Sequence, residues 1–318
     1  MRIPHGCSYV EGIRIVTSGL PAVQGGYHAG VRIYAARTAS CPESQLSDTP
    51  RLQMTKLQRV VLPVLATLCL PAPAALLAQD QDELFRRAAE SEIWEPEPPV
   101  VTPGPAVGMT HPPSDAIVLF DGTGLNQWVN SRDGEPAGWR VEDGVFTVVN
   151  EVGDIETARS FQDFQLHLEW RVSANVQGSG QSRGNSGVFL TSIDGGGYEV
   201  QILDAYENPT YVNGMAGSVY KQSIPLANPA RPPGEWQVYD IVWRAPRFND
   251  SGEVTRRAQV TVVFNGVVVQ DAFELEGKTL WVGEPYYEAH GPLPIRLQAH
   301  GDPGPGVSFR NIWLRELP

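Results

Sequence analysis

Residues 198–204 read Y-E-V-Q-I-L-D, and residues 296–300 read R-L-Q-A-H. Side chains alternate between faces along a strand. Glu199, Gln201 and Leu203 are therefore expected on one face of the first stretch, with Tyr198, Val200, Ile202 and Asp204 on the other. In the second stretch Arg296, Gln298 and His300 share a face. A carboxylate beside a carboxamide, and an imidazole in line with another, can hold hydroxyl groups and move protons. Glu199 and His300 are the candidate acid/base pair, since an unperturbed imidazole titrates near pH ~6.5. Gln201 and Gln298 are the candidate hydroxyl ligands. Each row also reads as a solvated outer face, so the choice between a sugar cleft and an exposed surface depends on what faces it.

Other side chains could join such a cleft. Asn185 in R-G-N-S-G is either a hydroxyl ligand or a turn residue satisfying backbone groups. Lys221 in V-Y-K-Q and Arg310 in F-R-N-I could stabilise an oxyanion; their plainer readings are a surface lysine and a structural ion pair. Glu169, flanked by His167 and Arg171, is a second carboxylate or part of an ion-paired outer face. Tyr198, Tyr220 and Trp236 are candidate lining aromatics, whereas Trp170, Trp243 and Trp313 alternate with core-like positions. His167, His290 and His300 show no H-x-H or H-E-x-x-H spacing. No phosphate-binding glycine loop or dinucleotide fingerprint is present. No metal or cofactor is expected, with a structural calcium on backbone carbonyls left open.

The elements that must position these residues are strands. F-Q-L-H-L-E-W-R-V (164–172) places Phe164, Leu166, Leu168 and Trp170 on one face. W-Q-V-Y-D-I-V-W-R (236–244) is a second strand. V-T-V-V-F-N-G-V-V-V-Q-D (260–271) is a hairpin turning at Asn265-Gly266, and residues 139–149 turn at Asp143-Gly144. Helical periodicity is nearly absent from residue 115 onward. Many strands with Gly- and Pro-rich turns predict two packed antiparallel sheets, an all-β jelly-roll sandwich of concanavalin type, over 115–318.

The chain ahead of this domain divides further. From Met54, two basic residues precede an apolar run from Val60 to Leu77, the layout of a secretory signal peptide over 54–78. Residues 1–53 are read as an upstream segment with no predicted fold. Residues 79–114 form a Pro-rich acidic arm, in which Q-D-Q-D-E-L-F-R-R-A-A-E could make one short helix and Ile93 and Trp94 could pack back onto the domain. Cys7, Cys41 and Cys69, the three cysteines of the chain, all precede residue 79. The processed protein is thus expected to have no disulfide and no thiol nucleophile. The expected location is periplasmic or secreted, with no membrane contact after cleavage. The net formal charge of −12 disfavours phosphate backbones, so nucleic acid is not an expected partner, while neutral carbohydrate is compatible.

Seven pieces then stand in one order: L-F-D-G-T-G-L-N-Q-W, R-G-N-S-G-V-F-L, Y-E-V-Q-I-L-D, G-S-V-Y-K-Q, P-G-E-W-Q-V-Y-D-I, L-Q-A-H-G and F-R-N-I-W-L-R-E-L. The ordered set resembles the 3-keto-disaccharide hydrolase domain family across nearly all of 115–318. That resemblance implies secreted enzymes that cleave glycosides whose C3 hydroxyl is already a ketone, with a separate sugar 3-dehydrogenase acting upstream. A retaining glycosidase needs two carboxyl groups roughly 5 Å apart, and the residue two after Glu199 is Gln201, which cannot ionise. A ketone offers another route: it acidifies C2–H, a base removes that proton, and the enolate expels the C1 substituent. Glu199 is then the base. A conventional glycosidase using Glu169 as its second carboxylate, and a non-catalytic lectin-like module, remain the alternatives.

Overall fold

The structure is a computed structural model that describes residues 72–105 and 111–318. The segment 1–53, the cysteines and most of the expected leader at 54–78 lie outside the described residues. The chain divides into two units. In the unit Tyr27–Arg86 the described element is most of helix α1, Ala72–Ala89. The unit containing Arg87–Pro318 holds the strands.

These are β1 (Ile117–Phe120), β2 (Trp128–Asn130), β3 (Arg140–Glu142), β4 (Val145–Thr147), β5 (Ile155–Thr157), β6 (Phe164–Arg171), β7 (Ser186–Ile193) and β8 (Gly196–Ile202). They continue with β9 (Gln237–Arg244), β10 (Arg247–Phe248), β11 (Val254–Arg256), β12 (Gln259–Phe264), β13 (Val267–Glu274), β14 (Arg296–Leu297) and β15 (Ser308–Glu316). Among the described residues, one antiparallel sheet runs β13-β12-β9-β6-β15-β4-β3, with β1 added along β15. A second runs β2-β5-β14-β7-β8. The expected all-β sandwich is the fold.

Alternation builds the core between the sheets. Leu166, Leu168 and Trp170 of β6 and Tyr239, Ile241 and Trp243 of β9 face inward from the larger sheet, and all are buried. Val188, Leu190, Val200, Ile202 and Leu297 face them from the smaller sheet. At ~25 cal/mol per Å², such side chains contribute about 2 kcal/mol each when fully buried. The β12–β13 turn uses Asn265 at φ 51° and Gly266 at φ 82°, and the β3–β4 turn uses Asp143 at φ 50° and Gly144 at φ 75°. Both have the left-handed pair that two-residue type I′ hairpins require.

Two local expectations fail. β8 ends at Ile202, so Leu203 does not continue the face of Glu199 and Gln201; it is buried in the core. Asp204, past the strand end, pairs with Arg183 at 2.7 Å. Likewise β14 covers just Arg296 and Leu297, which leaves His300 on the loop after it rather than on a strand.

Candidate active site

Register decides which side chains meet. Phe189 of β7 pairs with Glu199 of β8 and with Arg296 of β14, and Arg296 pairs onward with Glu156 of β5. One row thus carries Glu156, Arg296, Phe189 and Glu199 across the outer face of the smaller sheet. The next row carries Gln201 opposite Gly187, and Gln298 donates its backbone N–H to Gly187 O at 3.1 Å. A pleated sheet puts members of such rows on the same face.

Glu199 is 7% exposed. Burial pushes its pKa up to about 8, opposed by Arg296 and assisted by the neighbouring Asp154 charge. The sheet makes room for it through a missing side chain: a Cβ on Gly187 would stand 2.2 Å from Glu199 Oε1. Gln201, with its nitrogen turned toward Glu199, donates to Glu199 Oε1 at 3.0 Å and to Ser186 O at 2.9 Å, and the Gln181 amide oxygen lies 3.1 Å from its other end. Asn185 Nδ2 donates to Gln181 O at 2.8 Å. Asn185 N donates to Asp302 Oδ2 at 2.6 Å, and Asp302 Oδ1 holds His300 Nδ1 at 2.6 Å. Gln181, Asn185 and Asp302 thus connect to His300 by hydrogen bonds, while Gln201 with its nitrogen on Glu199 meets Gln181 oxygen to oxygen and passes no hydrogen bond across.

Glu199 and His300 flank this surface rather than touch. Glu199 lies on β8, and His300 follows β14 on the other side of β7. Between them, Asn185 Oδ1 and Gln298 Oε1 are buried acceptors with no partner among the described residues. Buried acceptors without donors are costly, and sugar hydroxyls are donors. Tyr211 and Tyr220 close the β8 side. Their hydroxyls lie 2.8 Å apart, and Tyr220 N donates to Glu199 O at 3.2 Å.

Four expected members stand elsewhere. Tyr198 alternates onto the core face, is 0% exposed and meets His290 Nε2 at 3.1 Å through its hydroxyl. Glu169, Arg310 and Trp236 belong to the outer face of the larger sheet, across the core from Glu199. There Arg310 Nε donates to Glu169 Oε2 at 2.6 Å, and the guanidinium carbons of Arg310 and Arg171 lie 4.1 and 4.5 Å from the Trp236 ring centre. Glu169 cannot serve as a second carboxylate to Glu199 from that side. Lys221 is near the cleft but spent: its ammonium donates to Ala88 O, to Ser91 Oγ at 3.1 Å and to Trp281 O at 3.0 Å, and an ammonium has three donors. Gln181, Asp302, Gly187 and Tyr211 are members that strand alternation does not point to. Among the described residues, no group of three His, Cys, Asp or Glu is arranged to hold a metal ion.

The 3-keto-alpha-glucoside-1,2-lyase-like domain matches residues 115–315. The chain belongs to that family. It is 30% identical over 157 residues to a 3-keto-disaccharide hydrolase of Bacteroides thetaiotaomicron, a match over 40% of this chain and 51% of the relative. The chain thus spans about half the length of that curated relative. A crystal structure from Parabacteroides distasonis, described as a candidate glycosyl hydrolase, is 56% identical with a TM-score of 0.63, covering 72% of this chain and 95% of its own. The family so matched is carbohydrate-active and glycosyl-hydrolase-like. The site residues named above all fall within the matched domain.

Proposed function

We propose that this protein cleaves the glycosidic bond of 3-keto-glycosides by proton abstraction at C2, after export from the cytoplasm. The observation that carries the reading is that the buried carboxylate Glu199 has a carboxamide, Gln201, and not a second carboxylate as its hydrogen-bond partner. A base whose pKa lies close to the working pH suits removal of a carbon-bound proton. In the first step Glu199 takes the C2 proton, and the C–H electron pair forms the enolate of the C3 ketone. The enolate collapses to a C1–C2 double bond and expels the C1 oxygen, which takes a proton from His300. Water then adds back: its oxygen bonds to C1, His300 takes its proton, and Glu199 returns a proton to C2. The net change is hydrolysis with the ketone restored. Asn185 and Gln298 accept hydrogen bonds from substrate hydroxyls, and Asp302 fixes the His300 ring with Nε2 facing the leaving oxygen.

A paired assay tests this reading. The full chain is given a 3-keto-disaccharide and its unoxidised parent, as wild type and as Glu199→Gln. Cleavage of the keto sugar alone, abolished in the variant, is expected. Cleavage of the parent at a similar rate would replace the reading with conventional glycoside hydrolysis, and binding without cleavage of either would make the protein a lectin-like module.

A further inference from the structure

The N-terminal arm lies outside the family match of 115–315, yet in the unit Arg87–Pro318 it is bolted to the rim of the site. Val212 N donates to Ile93 O at 2.6 Å. Ile93 N donates to Asn213 Oδ1 at 3.0 Å, and Asn213 Nδ2 returns a bond to Ser91 O at 2.9 Å. Lys221, in the left-handed region at φ 59°, adds its bonds to Ala88 and Ser91. Farther on, Asn228 N donates to Pro99 O at 2.9 Å and Val101 N donates to Asn228 O at 3.1 Å. A segment that served merely as a linker would not need so many backbone partners.

The bonds at 91–93 set one side chain in place. Trp94 is 55% exposed, although indoles are usually well covered. Its ring meets Tyr211 edge-on, with centres 6.2 Å apart at 74°, and its Nε1 donates to Glu92 Oε2 at 3.2 Å. Tyr211 leads inward to Tyr220 and so to Glu199. The phenol pKa values of Tyr211 and Tyr220 are raised, first by burial and further by the charges of both Glu92 and Glu199. The arm and the carboxylate therefore border the same two rings.

We propose that Trp94 is the stacking platform for the oxidised sugar ring, on the wall of the cleft opposite His300. The apolar C–H face of a pyranose packs on an indole as other apolar surfaces do. The side of the cleft matters. His300 serves the leaving oxygen, so the departing group exits toward the loop after β14. The ring that remains over Glu199 is the one within reach of Tyr211 and Trp94. The arm thereby supplies a binding determinant that the family domain by itself lacks. This rests on the proposed reading of the Glu199 site.

The test compares wild type, Trp94→Ala and Trp94→Phe on a 3-keto-disaccharide and on the methyl glycoside of the same 3-keto-hexose. Trp94→Ala is expected to raise KM about tenfold on both substrates with kcat little changed, and Trp94→Phe to recover most of the loss. A loss confined to the disaccharide would move Trp94 to the leaving-group side and overturn the assignment. So would unchanged KM, or a fall in kcat alone. Binding of the free 3-keto-hexose and of the unoxidised parent disaccharide is measured in parallel by calorimetry. If no substrate is cleaved, the catalytic reading falls. The platform then stands on a roughly tenfold weaker Kd for whichever sugar binds the wild type, and it falls if Trp94→Ala binds as wild type does or if neither sugar binds.

Discussion

Gly187 and Glu199 form one packing unit split across two strands. The carboxylate occupies the space a side chain at 187 would fill, so Gly187→Ala must push it off Gln201 or bend β7. The expected result is a drop in kcat of about 100-fold or more, the scale of losing a positioned proton-transfer group, with the fold intact by circular dichroism. Wild-type activity in that variant would remove Glu199 from the chemistry. The same carboxylate sets a pH dependence. Its pKa stands at about 8 because burial disfavours charge, and the ionised form is the base. The abstraction step, read as loss of the C2 hydrogen to solvent deuterium, should therefore quicken with pH through about 8. A profile that falls across this range would make Glu199 an acid.

At the scale of elements, β6, β9 and the β12–β13 hairpin were legible because their alternation is long and their turn residues favour one geometry. Alternation assigns a side chain to a face but not to a particular sheet's outer side. It therefore allows Glu169 and Arg310 either beside Glu199 or in an ion pair on an outer face, and Trp236 on a cleft rim; the fold makes the ion pair and puts all three beyond the opposite sheet. Nor does alternation announce where a strand ends, which misplaced Leu203 and His300. Neither reading of Lys221, oxyanion partner or surface lysine, anticipates partners from the arm, 133 residues earlier at Ala88. Asp302, two residues after His300, was within reach of a sequence reading, whereas Gln181 enters through loop packing alone. The outer face of the larger sheet has its own electrostatics. Burial opposes the charge of His167, but Asp240 at 2.7 Å and Glu169 outweigh it and raise the pKa to about 9. A folded pKa above the unfolded value of ~6.5 gives stability that is full below that value and is lost as pH rises through about 9. Thermal unfolding from pH 6 to 10 should show the midpoint falling across that window, with the slope reduced in His167→Gln. An equal slope in the variant would assign the alkaline loss to other groups.

For the whole molecule, activity and stability pull in opposite directions at Glu199. A buried carboxyl with a raised pKa stabilises the fold in its neutral form, fully so below the unfolded pKa of ~4.5, and that contribution is lost as pH rises through about 8. Glu199→Gln removes the titration. It should leave the melting temperature near wild type at pH 5 and raise it by roughly 2–8 °C at pH 9. Equal melting temperatures at pH 9 would show that the carboxylate is not strained in the fold. The sandwich thus holds an ionisable group where it is costly, with Gly187 opening the space, Gln201 bonded to the carboxylate, and the arm closing the rim. Whether that group breaks a C–H bond is decided most directly by cleaving a 3-keto-disaccharide in deuterium oxide. The released keto sugar should carry solvent deuterium at C2 wherever Glu199 exchanges its proton before returning it, at times too short for uncatalysed exchange, and a substrate deuterated at C2 should be cleaved more slowly in ordinary water. Full retention of the original hydrogen together with no slowing by C2 deuteration would contradict proton abstraction by Glu199 and return the reaction to direct displacement at C1.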